Sequence, residues 1–344
     1  MVSFFVYLHI SFPYLVYLKK EVMKSFFYFI ASFLIFAGGC TSSEPIDIDS
    51  ENLLKTVQII SHDSLEGRAF STLGNIKAQK IINRNFTKIG LQTGKNRRYF
   101  QEFSYSFKGE KRQEIFPIKK PKENFSNVPD TTLTGRNIVG TLKGKINKSI
   151  IITAHFDHLG IKNGNIYNGA DDNASGVAAL FTIAEYFKKN PTNHDLIFAA
   201  FDAKEFGSLG AEYFLKNYED KENIVLNINL DMIAHSDYDP ILFACGLHHH
   251  PNLRKPLERI KSDEVTLLFG HDDPLNRDQT DWTFSSDHKV FHKENIPFIY
   301  FGVESHKDYH RHTDNYETIN PEFYIETVKI IIQAIKNFDE FLLD

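Results

Sequence analysis

Cysteine is nearly absent from this chain. Cys40 and Cys245 are the only two among 344 residues. Two cysteines cannot supply a disulfide framework, so stability has to come from packing. A basic excess is missing as well: 39 Lys and Arg against 44 Asp and Glu leave a net charge of −5. That removes the electrostatic footprint of a nucleic-acid binder. No internal repeat is visible, and residues 109–136, rich in Lys and Pro, lack any hydrophobic period and read as a surface excursion. What is present is ordinary for a globular protein. Hydrophobic residues make up 42% and charged residues 24%, enough to bury a real core in one large domain or two modest ones.

Phenylalanine is concentrated in the first 40 residues. Met23-Lys24 precedes an apolar run over 26–36, followed by Ala37-Gly38-Gly39-Cys40. A short basic stretch, an apolar stretch and small residues before a cysteine form a targeting signal rather than part of the fold. The stretch resembles a bacterial lipoprotein signal, with Ala37 where that pattern usually has Leu. The resemblance implies a signal over 1–39, a lipidated Cys40 that attaches the chain to the membrane, and a polar tether over 40–50. Residues 1–22 then serve as an upstream start or an extended basic region. The alternative is a membrane anchor that is never cleaved. Both readings place the body, 51–344, outside the cytoplasm at the cell envelope, periplasmic or attached to the outer membrane.

From Glu51 onward Leu53, Leu54, Val57 and Ile60 fall near helical spacing. A second helix is expected over 76–89, closed by Gly90. Strands are expected over 137–142, 149–154, 195–201, 224–230, 240–244 and 297–301, and helices over 175–189, 207–217, 252–261 and 321–341. Near-continuous apolar strands alternating with helices predict an α/β fold, with a central and mostly parallel sheet covered on both faces as a three-layer α/β/α sandwich. Sites in such folds lie beyond the C-terminal ends of the strands.

Metal-type ligands sit at those ends. The run 149–154 leads into His155-Phe156-Asp157, 195–201 into Asp202-Ala203-Lys204-Glu205, and 224–230 into Asp231; 297–301 precedes the loop with Tyr309-His310. The turn Gly169-Ala170-Asp171-Asp172-Asn173-Ala174-Ser175-Gly176 opens a helix. Imidazole and carboxylate together suit zinc. In this order the motifs resemble the co-catalytic zinc aminopeptidases, a group that includes bacterial leucyl aminopeptidase and is related to glutamate carboxypeptidase and glutaminyl cyclase. The likeness covers roughly residues 51–342, with Asp63-Ser64-Leu65-Glu66-Gly67-Arg68 at its start and Ser286-Asp287-His288 near its end.

The resemblance implies a zinc-exopeptidase fold over 51–344, peptide substrates and two zinc ions per chain. It assigns His155 and Asp231 to one ion and Glu205 and His310 to the other. It makes Asp171 the bridging carboxylate, followed by a cis Asp171–Asp172 bond. Asp157 is implied to accept the His155 N–H and fix its tautomer, and Asp314 to orient the His310 loop. Zinc lowers the pKa of bound water to about 7. One position departs from the family: Lys204 replaces the usual glutamate base. Either Lys204 is a neutral base, or Glu304 or Asp202 replaces it, or the site is slow or dead. The leading function is therefore removal of N-terminal residues from peptides. A cyclase acting on N-terminal glutamine and a degenerate peptide-binding lipoprotein are the alternatives. His248-His249-His250 reads as a solvated loop, and His158, His288 and His306 as flanking or surface residues. Cys245 reads as a small buried hydrophobe. Trp282 and Phe284 line a pocket or pack in the core.

Overall fold

The computed structural model describes residues 45–94, 97–107 and 131–343. The expected signal, Cys40 and the first half of the expected tether lie outside them, as does most of the 109–136 excursion. The described residues from Ile46 onward form one compact unit. Ile46 and Ile48 already pack against the core, so the packed body takes in the last residues of the expected tether. No helix among the described residues is long and apolar enough to cross a membrane.

Two helices lead. Helix α1, Ser50–Ile60, is capped by Asp49, whose carboxylate accepts from the Asn52 N–H at 3.0 Å. It buries Leu53, Val57 and Ile60. Helix α2, Leu73–Ile89, ends at Gly90 in the left-handed conformation. It begins three residues before the expected start because Thr72 caps it.

Strands β1 (Phe100–Phe107) and β2 (Thr131–Leu142) come next, then β3 (Ser149–His155) and the hairpin strands β4 (Gly160–Lys162) and β5 (Asn165–Tyr167). Helix α3 (Gly176–Lys189), β6 (Asp195–Phe201), α4 (Leu209–Asn217), β7 (Ile224–Leu230) and β8 (Ile241–Cys245) follow. The chain ends through α5 (Arg254–Glu258), β9 (Thr266–Phe269), α6 (His288–Lys293), β10 (Phe298–Gly302) and α7 (Pro321–Phe341).

Eight strands make one sheet in the order β1-β2-β6-β3-β7-β10-β8-β9. It is a mixed sheet in which parallel pairings are the majority, as expected. Four pairings are parallel and three antiparallel. The parallel block is the centre, β6-β3-β7-β10. There all seven residues of β3 and of β6 are buried, which is why both read as continuous apolar runs. The antiparallel strands β1 and β2 lie on one side of this block, and β8 pairs antiparallel with β10 on the other. Strand side chains alternate between faces. Ile150, Ile152 and Ala154 join a core with α1, α2, α3 and α7, whereas Ile151 joins one with α4 and α6. The three layers follow from that alternation. Because β3, β6, β7 and β10 run parallel, their C-terminal ends share one rim.

Candidate active site

His155 is the last residue of β3. Its Nδ1 lies 3.0 Å from the main-chain oxygen of Asp157. A carbonyl only accepts, so Nδ1 carries the proton. Nε2 is thereby aimed at Asp231 Oδ1, 3.2 Å away at the end of β7, and at Asp172 Oδ1, 3.3 Å away. The tautomer is thus fixed by the main chain of Asp157, not by its carboxylate. That carboxylate accepts instead from the N–H groups of Lys204 (2.9 Å) and Glu205 (3.1 Å), and holds the turn after β6 against the end of β3.

Asp172, not Asp171, occupies the centre. It is fully buried, and neither of its oxygens has a hydrogen-bond partner. Oδ1 faces His155, and Oδ2 lies 3.1 Å from His310 Nε2. His310 Nε2 is also 3.9 Å from Glu205 Oε2. Asp171 points the other way. Its Oδ1 accepts from the Ala234 N–H at 2.7 Å, and its Oδ2 lies 3.0 Å from His306 Nε2. Asp172, where Asp171 was expected, is therefore the aspartate of the pair that faces the cluster, because successive side chains in this turn leave in different directions. The cis bond is Asp172–Asn173 rather than Asp171–Asp172.

The turn is held from three sides. Asp314 accepts from the N–H groups of both Asp171 (2.9 Å) and Asp172 (3.1 Å). Asn173 donates to the Leu230 carbonyl and accepts from Gly176 and Met232, fastening the turn to the end of β7. Arg68, fully buried, donates to the carbonyls of Ile60, Phe156, Asn168 and Gly169. It links α1, the loop after β3 and the Asp172 turn. Burial lowers its pKa to about 10, which leaves it a cation. Gly169 has φ +56°, and a Cβ there would stand 2.0 Å from the Asp172 carbonyl oxygen, so the close turn requires glycine.

Lys204 reaches into the same cluster. Its ammonium lies 3.2 Å from Glu205 Oε1, 3.5 Å from Asp231 Oδ2 and 3.9 Å from Asp172 Oδ1. Burial opposes its charge, but Asp172, Asp231 and Glu205 outweigh burial and hold its pKa well above the ordinary lysine value. With only protein groups around it, Lys204 is a cation. The two carboxylate substitutes are placed elsewhere. Asp202 accepts from Asn75, Ala203 and Arg136, and Glu304 is exposed and pairs with His271 at 3.3 Å.

His155, Asp172 and Asp231 each offer a ligand atom within 4.8 Å of the others, as do His158, Asp172 and Glu205. His158 was expected to flank the site or lie on the surface. It is fully buried, with neither ring nitrogen partnered and Nδ1 3.8 Å from Asp172 Oδ2. Burial lowers its pKa well below the histidine norm, so it is neutral. A buried carboxylate ringed by imidazoles and without a hydrogen-bond partner fits a cation. Nothing but its position beside the His155 motif marked His158 in the sequence, and the tandem Asp171-Asp172 offered two equal candidates.

Several other histidines are held by packing or hydrogen bonds within the fold. His235, His306 and Asp308 form a further buried grouping, but the two rings stack at 3.9 Å with 19° between their planes. A metal ion in the plane of one ring lies off the other. His288 Nε2 donates to the Trp282 carbonyl, and its ring stacks against Phe298 and Tyr300. His249 packs on His292 and Phe298 rather than standing free in solvent. Trp282 stacks on His271 at 3.6 Å. Cys245 is buried.

Comparison with known proteins adds identity to this geometry. Aminopeptidase YwaD of Bacillus subtilis (strain 168) is 28% identical over 222 residues, 60% of this chain and 45% of that protein. The chain spans about half the length of the curated relatives it matches. A solved zinc aminopeptidase from Bacillus subtilis superposes with a TM-score of 0.63 at 18% identity, covering 85% of this chain and 95% of its own. A glutaminyl cyclase from Fimbriiglobus ruber does so at 0.62 and 17%, covering 86% and 97%. These two share the fold. The model of Peptidase family M28 matches residues 137–335, which include His155, Asp172, Glu205, Asp231 and His310 and make up more than half of the chain, and the chain accordingly belongs to that family.

Proposed function

We propose that this protein is a zinc-dependent aminopeptidase that removes N-terminal residues from peptides. The observation that carries the reading is Asp172: a fully buried carboxylate without a hydrogen-bond donor, set between His155 and His310 and beside Asp231 and Glu205. In this reading His155 and Asp231 would hold one ion and Glu205 and His310 a second, with Asp172 facing both sets. Zinc, when bound, supplies a Lewis acid for the peptide carbonyl and lowers the pKa of bound water to about 7. The chain's own residues prepare the site. The Asp157 carbonyl keeps His155 Nε2 free, the Asp157 carboxylate fixes the Glu205 turn, and the Tyr309 ring stacks on His310 at 4.0 Å.

Digestion of a peptide library by zinc-loaded protein, read by mass spectrometry with and without a chelator, tests the reading. Stepwise loss of N-terminal residues that stops with chelator or with N-acetylated peptides is the expected result. Loss of ammonia from N-terminal glutamine without hydrolysis would assign the cyclase activity instead. Zinc binding with no turnover would leave a peptide-binding protein. The proposal extends to location. The order of Met23-Lys24, the apolar run, the small residues and Cys40 supports an extracytoplasmic lipoprotein. Metabolic palmitate labelling that persists in Cys40→Ser would refute that part.

A further inference from the structure

The ammonium of Lys204 touches ligands of both proposed ion positions. Asp231 belongs with His155, Glu205 with His310, and Asp172 with both, and Lys204 Nζ lies within 3.2 to 3.9 Å of all three carboxylates. It has little room to withdraw. Its side chain is 11% exposed, and the N–H groups of Lys204 and Glu205 are both bound by the buried Asp157 carboxylate. The main chain therefore cannot swing the side chain away without giving up two charge-assisted hydrogen bonds. A positive charge about 4 Å from a dication is repelled strongly even where the effective dielectric is about 20.

We infer that Lys204 makes the two ion positions unequal: one zinc ion binds tightly while the ammonium keeps its place among the carboxylates, and the second binds weakly because it must share or displace that ammonium. The inference rests on the zinc reading above. It separates this chain from a site in which the same residue is an acid, where the extra side chain adds negative charge to the cluster and favours two dications.

Metal-depleted wild-type protein and Lys204→Met are titrated with Zn²⁺ against a chromophoric chelator, with circular dichroism as the check on folding. Lys204→Gln is run as a second variant. The wild type is expected to bind one ion tightly and a second at least roughly 100-fold more weakly. Both variants are expected to bind two ions with the gap narrowed to about tenfold or less. Two equally tight ions in the wild type overturn the inference, whether or not the variants fold. The same gap in wild type and folded variants also overturns it. No zinc uptake by any of the three folded proteins overturns the zinc reading itself, and the inference with it.

Discussion

Asp171 and Asp172 are adjacent, chemically identical and both fully buried, yet the structure gives them opposite work. Alanine at each position should therefore have crossed effects. In Asp171→Ala the Ala234 N–H and the His306 ring lose their partner. Each buried group left unmatched costs about 1–3 kcal/mol, so the variant should be destabilised by about 2–6 kcal/mol, a drop in Tm of roughly 3–10 °C. Zinc content should survive, since a residue behind the ligands costs roughly 10–100-fold in metal affinity. In Asp172→Ala both proposed ion positions would lose a ligand, so uptake should fall beyond that range. Hydrolysis should fall with it. Differential scanning calorimetry and elemental analysis of the two dialysed variants read both axes. Part of the Asp171→Ala penalty should depend on pH. Burial alone would lower the His306 pKa, but the hydrogen bond and charge of Asp171 outweigh it and raise that pKa above the ordinary value. A raised histidine pKa adds stability that is complete below about 6.5, the unfolded value, and fades as pH rises through the folded value. The stability gap between wild type and Asp171→Ala should therefore narrow on going from acid to mildly alkaline pH. Loss of both ions in Asp171→Ala with retention in Asp172→Ala would refute this division of roles.

Other outcomes follow from the same contacts. Arg68→Met removes the donor shared by four carbonyls and should cost at least about 3 kcal/mol; denaturant titration measures it, and a loss below about 1 kcal/mol would show that the carbonyls find other partners. Asp157→Ala should keep the His155 tautomer, which depends on a carbonyl, yet slow hydrolysis by loosening the Lys204–Glu205 turn. Proton NMR of the imidazole N–H signals checks the first part, and steady-state rates check the second. His158→Phe leaves the proposed ligands His155 and His310 in place, so retained zinc at wild-type affinity would mark His158 as packing, and a loss beyond tenfold as a participant.

The sequence by itself determined the central block of the fold. The runs that became β3 and β6 are nearly continuously apolar because both faces of those strands are covered, and the long period of α7 is legible for the complementary reason, one face buried over 21 residues. It also determined that imidazole and carboxylate groups arrive at strand ends, because in a parallel block every such end shares one rim. The elements it left unread are those whose order comes from neighbours. Strand β1 has only Phe103 and Phe107 buried and is held by β2, and β9 is a four-residue strand added beside β8. The turn before α3 shows the limit most clearly. Two consecutive aspartates give no local signal of which one enters the cluster. The choice is made by Asp314 and Arg68, which bind the turn's main chain from 143 and 101 residues away in sequence, and by Asn173 within the turn, whose side chain donates to the Leu230 carbonyl 57 residues on. The direction of a side chain in an irregular turn is set by what holds the backbone on every side, and those contacts exist only once the strands have assembled.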